Sequence, residues 1–303
     1  MDNPISSDKT LHNFKKETTP ITLGLPIEVV GQLGQISHGI PEEILHPTTH
    51  LDRSLLQGEQ AANQLPDELR PEDLARVNAE LDGAGPHEIM KYAQTVFGEG
   101  LTMACSFQDL VMLDIAVKTI PDIQIFTIDT GFLFFETEET IRRAQAHYPE
   151  MRLNILQPKI HITAQAQQHR HQLYHEDSDA CCAIRKLEPM RRALEGRKAW
   201  MTGIRRDQSA TRATIQAVAW DYKWNIVKFA PLCNWTADDI WSYAEMHKVP
   251  YNRLIDRGYP SIGCAPCTRA PVDGDPRSGR WADSKKTECG LHGETPANPI
   301  LHS

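Results

Sequence analysis

The stretch LTMACSFQDLVMLDIAVKTIPDIQIFTIDTG, residues 101–131, decides the fold of this chain. Leu101–Cys105 is a short apolar run, and Ile123–Ile128 is rich in branched and aromatic residues, so both are predicted to be buried strands. Asp109–Lys118, which lies between them, is predicted to be a helix. A strand, a helix and a second strand in this order indicate a parallel α/β unit.

The same alternation continues on both sides of this stretch. Helices are predicted over Pro86–Phe97, Phe134–His147, Ile184–Leu194 and Thr236–Lys248, and strands over Leu153–Leu156, Lys198–Thr202 and Ile226–Phe229. The pattern predicts an α/β protein with a doubly wound, mostly parallel sheet. Ligands bind beyond the carboxyl ends of strands in such sheets. The binding site is therefore expected in the loops after Cys105, Ile128 and Thr202.

Three segments differ in composition. Residues 1–70 contain one aromatic residue, repeated prolines and no sustained period, which predicts a poorly ordered N-terminal arm. Residues 71–260 carry the α/β pattern. Residues 261–303 are rich in Gly, Pro, Cys and Arg, and we expect a segment that is ordered by ligands or metals, with a flexible tail.

Charge and hydropathy exclude several classes of protein. The 303 residues carry a net charge of −8, which argues against non-specific binding to nucleic acid. No apolar run approaches the roughly 18 residues of a membrane helix. The first residues lack the apolar core of a secretory signal. These features predict a cytoplasmic protein with neither nucleic-acid nor membrane partners.

The chain has seven cysteines, and an odd number in a cytosolic setting favours metal binding or catalysis over disulfides. Cys181 and Cys182 are adjacent, and Cys264 and Cys267 form a C-x-x-C pair. Four thiolates suit either tetrahedral zinc or an iron–sulfur cluster. Adjacent side chains diverge on a strand or a helix. The divergence favours a cluster, with zinc or unligated core cysteines as the alternatives.

Cys289 stands apart from the other cysteines, in the stretch KKTECGLH. Lys285 and Lys286 precede it and His292 follows it, and nearby cations lower the pKa of a thiol. Gly290 suggests that the tail is mobile. Cys289 is therefore a candidate nucleophile; the alternative is a surface cysteine on a frayed end.

Several cations are candidates for binding an anion. Arg205 and Arg206 follow a predicted strand, where two guanidinium groups suit a phosphate or sulfate. Arg277 and Arg280 lie between the C-x-x-C pair and the candidate nucleophile, and Lys186 follows the doubled cysteine. The alternative for each of them is a solvated surface charge.

Taken together, four segments resemble one family. CCAIRKLEPMRRAL, GIRRDQSATR, CAPCTRAPVDGDPRSGRW and ECGLH are similar to segments of the bacterial and plant-type assimilatory adenylylsulfate reductases, over about Leu74 to His292. The resemblance implies an adenine nucleotide alpha hydrolase-like fold and a [4Fe–4S] cluster on the four clustered cysteines. It also implies that Cys289 is the catalytic nucleophile. The substrate-binding residues that it implies are Lys186, Arg205 or Arg206, Arg277, Arg280, Ser106, Asp109, Asp129, Thr130, Gly131 and His292.

The activity implied by this resemblance belongs to sulfate assimilation and cysteine biosynthesis. Adenylylsulfate would be reduced to sulfite and AMP through an S-sulfocysteine on Cys289, which thioredoxin would resolve. Reduction of the 3′-phosphorylated nucleotide, phosphoadenylylsulfate, or of both nucleotides, is the nearest alternative. An ATP-pyrophosphatase-type enzyme would need a Ser-Gly-Gly-x-Asp-Ser loop, and the sequence lacks one. A non-enzymatic iron–sulfur or zinc regulator would need a basic DNA-binding element, for which the sequence offers no candidate.

Overall fold

The computed structural model describes residues 69–169, 171–271, 275–282 and 286–292. The N-terminal arm proposed from the sequence lies outside the described residues except for its last two positions. Its order and the mobility of the C-terminal tail stay predictions. No helix in the described parts of the chain combines the length and apolar character that crossing a membrane requires.

A six-stranded sheet forms the centre of the molecule. Its strands are β1 (Leu101–Ala104), β2 (Gln124–Ile128), β3 (Arg152–Leu156), β4 (Ala199–Met201), β5 (Val218–Asp221) and β6 (Ile226–Phe229). Their order across the sheet is β3-β2-β1-β4-β6-β5. All neighbouring pairs are parallel except β5 and β6, which form an antiparallel hairpin.

Nine α-helices are assigned in the described residues. They are α1 (Leu74–Glu80), α2 (Pro86–Phe97), α3 (Val111–Thr119), α4 (Phe135–His147), α5 (Ile162–His169), α6 (Leu173–Glu176), α7 (Ser178–Cys182), α8 (Glu188–Leu194) and α9 (Ala237–His247). A π-helical turn, Ala183–Leu187, connects α7 to α8. Such turns are rare and often occur at functional sites.

Apolar residues cover both faces of the sheet. On β2 the adjacent residues Ile125 and Phe126 pack into different hydrophobic clusters, and on β4 Met201 and Trp200 do the same. The first cluster includes α2, α3 and α9, and the second includes α8. Burial on both faces is the property that makes these strands continuous apolar runs, and it confirms the doubly wound architecture.

One strand of the sheet was not predicted from the sequence. Val218–Asp221 (VAWD) was not assigned, although it pairs with β6 from Val218↔Phe229 to Asp221↔Ile226. It is only four residues long, and its burial follows from the hairpin rather than from alternation of its own residues. The mostly parallel sheet was nevertheless predicted correctly.

The strand order also places the site. From β1 the chain moves outward to β2 and β3, then returns to place β4 on the other side of β1. The connections after β1 and β4 therefore leave in opposite directions, and a crevice opens between their carboxyl ends. Leu101↔Ala199 and Met103↔Met201 are in register, so both strands end at the same edge.

Candidate active site

A cavity of about 450 Å³ lies at this edge of the sheet. Its volume is within the range of small-molecule sites. It brings together most of the predicted site residues, namely Ser106, Asp109, Thr130, Lys186, Arg205, Cys264, Arg277, Arg280, Cys289 and His292. Asp129, Gly131, Arg206, Cys181, Cys182 and Cys267 are not among the residues that line it.

The loop after β1 contains a strained residue. Phe107 is fully buried with φ of +57°, a left-handed conformation that is unfavourable for a bulky side chain. The next residue, Gln108, accepts a hydrogen bond from Ile262 N (3.0 Å) and donates to Pro260 O (3.1 Å). Burial raises the pKa of the Asp109 carboxyl, and the charge of Arg205 opposes this. The loop therefore joins the sheet edge to the segment before Cys264.

The turn after β2 contains three predicted site residues, Asp129, Thr130 and Gly131, and only one of them lines the cavity. The Asp129 carboxylate accepts hydrogen bonds from Gly131 N (2.8 Å) and Gln157 Nε2 (2.8 Å). Gly131 has φ of +73°, and an added Cβ would lie 2.7 Å from an isoleucine side chain. Thr130 alone reaches the cavity, and its Oγ1 lies 3.3 Å from Cys264 Sγ. Asp129 and Gly131 therefore shape the turn.

After β4 the two adjacent arginines point in different directions. Arg205 is buried in the cavity wall, where its Nε donates to Asp207 (3.0 Å). Arg206 instead donates to Ile215 O (2.7 Å) and to Asn234 Oδ1. Of the two candidates that the sequence offered, Arg205 alone lines the cavity, and its role in binding stays a prediction.

The C-terminal segment contains an ion-pair cluster that the sequence did not predict. Arg212 donates two hydrogen bonds to the Glu288 carboxylate (3.0 and 2.9 Å). Arg277 donates to the same carboxylate (3.1 Å) and to Thr287 O (2.9 Å). Arg212 closes the motif GIRRDQSATR, but only the fold brings it to Glu288, 76 positions further along the chain.

Three cations surround the ring of Trp281. The Arg280 guanidinium carbon lies 4.5 Å from the ring centroid, and the ammonium nitrogens of Lys286 and Lys186 lie at 5.5 and 5.9 Å. Arg280 also donates to Ser261 Oγ (3.2 Å), while its buried Nε has no hydrogen-bond partner in the described structure. Positive charge is concentrated at this end of the cavity.

Cys289 is half-buried and lines the cavity. Burial acts to raise the pKa of its thiol, but Lys186, the Leu291 N–H and Arg280 outweigh burial, so the net pKa is lowered. Of the two effective cations, Lys186 is distant in sequence and Arg280 lies nine positions before Cys289. Lys286, which the sequence suggested, bonds instead to Ser178 O (3.0 Å) and Asp179 (2.7 Å), and Lys285 lies outside the described residues.

His292 stacks on Trp200, with the ring centroids 5.6 Å apart and the planes at 7°. Burial lowers the pKa of His292 well below its usual value, and Arg212, Lys228 and Arg277 add to this effect. The imidazole is therefore neutral at pH 7. Its Nδ1 is buried without a hydrogen-bond partner among the described atoms, and the residue lines the cavity.

The four clustered cysteines lie beside this end of the cavity as free thiols. Burial, followed by the charges of Cys182, Cys264 and Cys267, raises the pKa of Cys181 to about 12. This mutual influence shows that the two pairs are neighbours, although they are more than 80 positions apart in sequence.

The described residues contain no group of three or more His, Cys, Asp or Glu side chains arranged to hold a single metal ion. A four-iron cluster makes a different demand, because it binds each thiolate at a separate corner. Four neighbouring thiols with Lys186 close to three of them fit an anionic group of that kind.

Two further residues beside the cysteines were not singled out from the sequence. Gln165 Nε2 lies 3.9 Å from Cys181 Sγ, and its Oε1 accepts a hydrogen bond from Arg185 Nε (2.6 Å). Arg185 is 2% exposed and lies over the Phe132 ring at 5.6 Å. The π-helical turn directs Arg185 and Lys186 into the interior, a geometry that periodicity alone does not reveal.

Known proteins of one family are similar to this chain. The model of the phosphoadenosine phosphosulfate reductase domain matches residues 100–270. An adenosine 5′-phosphosulfate reductase of Shouchella clausii is 42% identical over 232 residues, 76% of this chain and 96% of the relative. A phosphoadenosine 5′-phosphosulfate reductase of Gloeobacter violaceus is 42% identical over 231 residues, 75% of this chain and 95% of the relative.

A solved structure is similar as well. It is the phosphoadenylyl-sulfate reductase of Candida auris in a phosphate complex, which has a TM-score of 0.60 and 30% identity. The match covers 66% of this chain and 98% of that one. The family model spans more than half of the chain, and relatives of 42% identity are matched over almost their whole length, so the chain belongs to the phosphoadenosine phosphosulfate reductase domain family.

Proposed function

We propose that this protein is an adenylylsulfate reductase, which reduces adenylylsulfate to sulfite and AMP in the cytoplasm as part of sulfate assimilation. The observation that carries the proposal is the position of Cys289. Its thiol lines the same cavity as Arg205, Arg277 and Arg280, and Lys186 lowers its pKa. A nucleophile and the cations needed for an anionic substrate thus share one site, and relatives named for this activity support the assignment.

The first step is attack by the Cys289 thiolate on the sulfur of the substrate. An S–S bond forms, the S–O bond to the phosphate breaks, and the electron pair leaves with AMP. A thiolate approaching an anionic substrate meets electrostatic repulsion. The arginines and Lys186 offset this repulsion because they are held in place before the substrate arrives.

The second step regenerates the thiol and releases sulfite. A thiolate of thioredoxin attacks the Cys289 sulfur of the S-sulfocysteine, and sulfite leaves with the electron pair of the broken S–S bond. The second thiol of thioredoxin then attacks the mixed disulfide and frees Cys289. Two thiols are oxidised to one disulfide while the sulfur of the substrate is reduced from sulfate to sulfite, so the electrons balance.

We propose that Cys181, Cys182, Cys264 and Cys267 hold a [4Fe–4S] cluster. When bound, the cluster supplies a fixed anionic charge that holds nearby cations in position. Lys186 is suited to link the two parts of the site, because it lies within electrostatic range of Cys182, Cys264 and Cys289. Burial acts to lower the pKa of Lys186, but these thiolates outweigh burial and raise it, so the ammonium keeps its charge.

The alternative substrate is phosphoadenylylsulfate. The relatives named for reduction of the phosphorylated nucleotide favour this possibility. The four cluster cysteines favour adenylylsulfate, the nucleotide without the 3′-phosphate. Reaction rates with the two nucleotides, measured with the same purified enzyme, decide between them.

The proposal is tested by replacing Cys289 with Ser. The enzyme is mixed anaerobically with adenylylsulfate, and AMP release and the mass of the protein are followed. Wild type should release one AMP per chain and gain the mass of one sulfonate group, and Cys289→Ser should do neither while still binding AMP. Cys233→Ser, which changes a cysteine buried in the main hydrophobic core and absent from the cavity lining, is the matched control. Sulfonate transfer that survives in Cys289→Ser would refute the proposal.

A further inference from the structure

The hairpin between β5 and β6 holds the C-terminal segment by its backbone. Lys223 Nζ donates a hydrogen bond to Gly290 O (2.6 Å), and Trp224 Nε1 donates to Leu291 O (3.0 Å). These two carbonyls belong to the residues that directly follow Cys289. The hairpin therefore contacts the tail at the place where it can determine the position of the thiol.

The backbone of the two donor residues, Lys223 and Trp224, is fixed by Asp221. Asp221 Oδ1 accepts hydrogen bonds from the backbone N–H groups of Lys223 (3.2 Å) and Trp224 (3.4 Å). Asn225 completes the turn with φ of +56°, and its N–H donates to Asp221 O (2.7 Å). Asp221 is 2% exposed. A buried carboxylate thus fixes the turn, which fits a role that needs precise geometry.

Apolar packing supports the same contact. The side chains of Trp224 and Leu291 pack against the hydrophobic cluster on one face of the sheet, which includes Trp200 and Ile226. Gly290 has φ of +75°, a left-handed conformation that glycine adopts without strain. This conformation allows the chain to reverse after Cys289, so that both carbonyls face the hairpin.

We propose that Lys223 and Trp224 are positioning residues for Cys289. They bind the two peptide carbonyls after the nucleophile and keep its thiol in the cavity, without touching the substrate themselves. The catalytic part of this role rests on the proposed function. The docking of the tail does not, because it can be measured without substrate. Losing the neutral hydrogen bond from Trp224 should lower the ratio of docked to undocked tail by about 2- to 12-fold.

The test uses Trp224→Phe and Lys223→Met in the full-length, cluster-loaded protein. Trp224→Phe changes no charge, so it removes the hydrogen bond without altering the electrostatics of the thiol. Tyr222→Phe is the matched control, because Tyr222 lies on the same turn and is 52% exposed. The first measurement is the rate at which iodoacetamide modifies Cys289 without substrate, identified by peptide mass spectrometry and taken at its high-pH plateau.

Both variants should be alkylated at Cys289 severalfold faster than wild type and the Tyr222→Phe control. Their affinity for AMP should stay close to the wild-type value, since the cations of the cavity wall outside the tail, Arg205 and Arg280, are unchanged. In a single turnover with saturating adenylylsulfate, S-sulfocysteine should form more slowly, with little change in the substrate concentration at half-maximal rate. A merely structural role would instead weaken AMP binding and lower the thermal midpoint together.

Unchanged alkylation of Cys289 in both variants would overturn the proposal, whatever the activity. If Trp224→Phe does not fold, Lys223→Met decides the question by itself, because an aliphatic side chain of similar length replaces the lysine on a half-buried surface. If wild type does not react with adenylylsulfate, the proposed function fails, but the alkylation rates still decide whether the hairpin holds the tail.

Discussion

Replacing Glu288 with Gln should slow the attack by Cys289 while strengthening the binding of AMP. Glu288 precedes the nucleophile and contributes the only side chain of the described tail that pairs with both Arg212 and Arg277. Its carboxylate therefore has two effects. It ties the tail to the cavity wall, and it neutralises part of the charge that an anionic ligand would use.

The size of the effect follows from the three hydrogen bonds at Glu288, which range from 2.9 to 3.1 Å. The side chains of Arg212, Arg277 and Glu288 are only 12%, 13% and 25% exposed, so solvent screens the pairs weakly. Gln keeps one acceptor oxygen and places an NH₂ group where a donor already points. We expect the loss of about 2–3 kcal/mol of docking energy. That loss lowers the ratio of docked to undocked tail by about 30- to 150-fold, which sets the upper limit for the loss of rate.

The assay is rapid-quench measurement of S-sulfocysteine formation in a single turnover, combined with calorimetric binding of AMP. Glu188→Gln is the matched control, because Glu188 also pairs with an arginine, Arg192 (2.7 Å), but on α8 away from the cavity. The control should behave as wild type in both measurements.

The opposite directions of the two effects make the reasoning refutable. A Glu288→Gln enzyme that attacks within twofold of the wild-type rate would show that the ion pairs do not hold the tail. Weaker AMP binding would show that the carboxylate orients the arginines for the ligand and does not compete with it. Either result contradicts the account of Glu288 given above.

Three further predictions, made with four substitutions, test the site and the core that supports it. Lys186→Met removes the main cation that lowers the pKa of Cys289; the thiolate then forms only at higher pH, so the rising limb of the pH–rate profile for S-sulfocysteine formation should move upward. Asp114→Ala removes a buried acceptor of two tyrosine hydroxyls and one lysine, and should lower the free energy of unfolding in urea by about 1–3 kcal/mol, because the hydroxyls lose their partner while the half-exposed lysine stays solvated. Arg205→Ala should weaken AMP binding in calorimetry, whereas Arg206→Ala should leave it close to wild type, because Arg206 bonds outside the cavity.

Much of the fold could be predicted because its strands are buried on both faces. Ile125 and Phe126 face different cores, as do Trp200 and Met201, and such strands appear in the sequence as short apolar runs. The β5 strand was missed because four residues that depend on a hairpin partner carry no period of their own. Hairpin pairing is a tertiary effect, and it outweighs local preference here.

The composition of the site could also be predicted, but not the direction in which each side chain points. Arg205 and Arg206 are adjacent and chemically identical, and only the course of the loop separates the one in the cavity from the one outside it. In the same way, Asp129 and Gly131 support a turn whose middle residue, Thr130, reaches the site. Sequence motifs identify a loop as functional, whereas the individual roles depend on its backbone path.

The electrostatics of the nucleophile show most clearly why the rest needed the structure. From the sequence, Lys285 and Lys286 were the cations beside Cys289, yet Lys286 bonds to α7. The charges that lower the pKa of Cys289 come from Lys186 and Arg280, which belong to the two cysteine-bearing segments. The thiol is thus activated only when the tail is docked against both segments. An undocked Cys289 loses those cations and returns towards an ordinary thiol, so that docking of the tail and activation of the nucleophile are a single event.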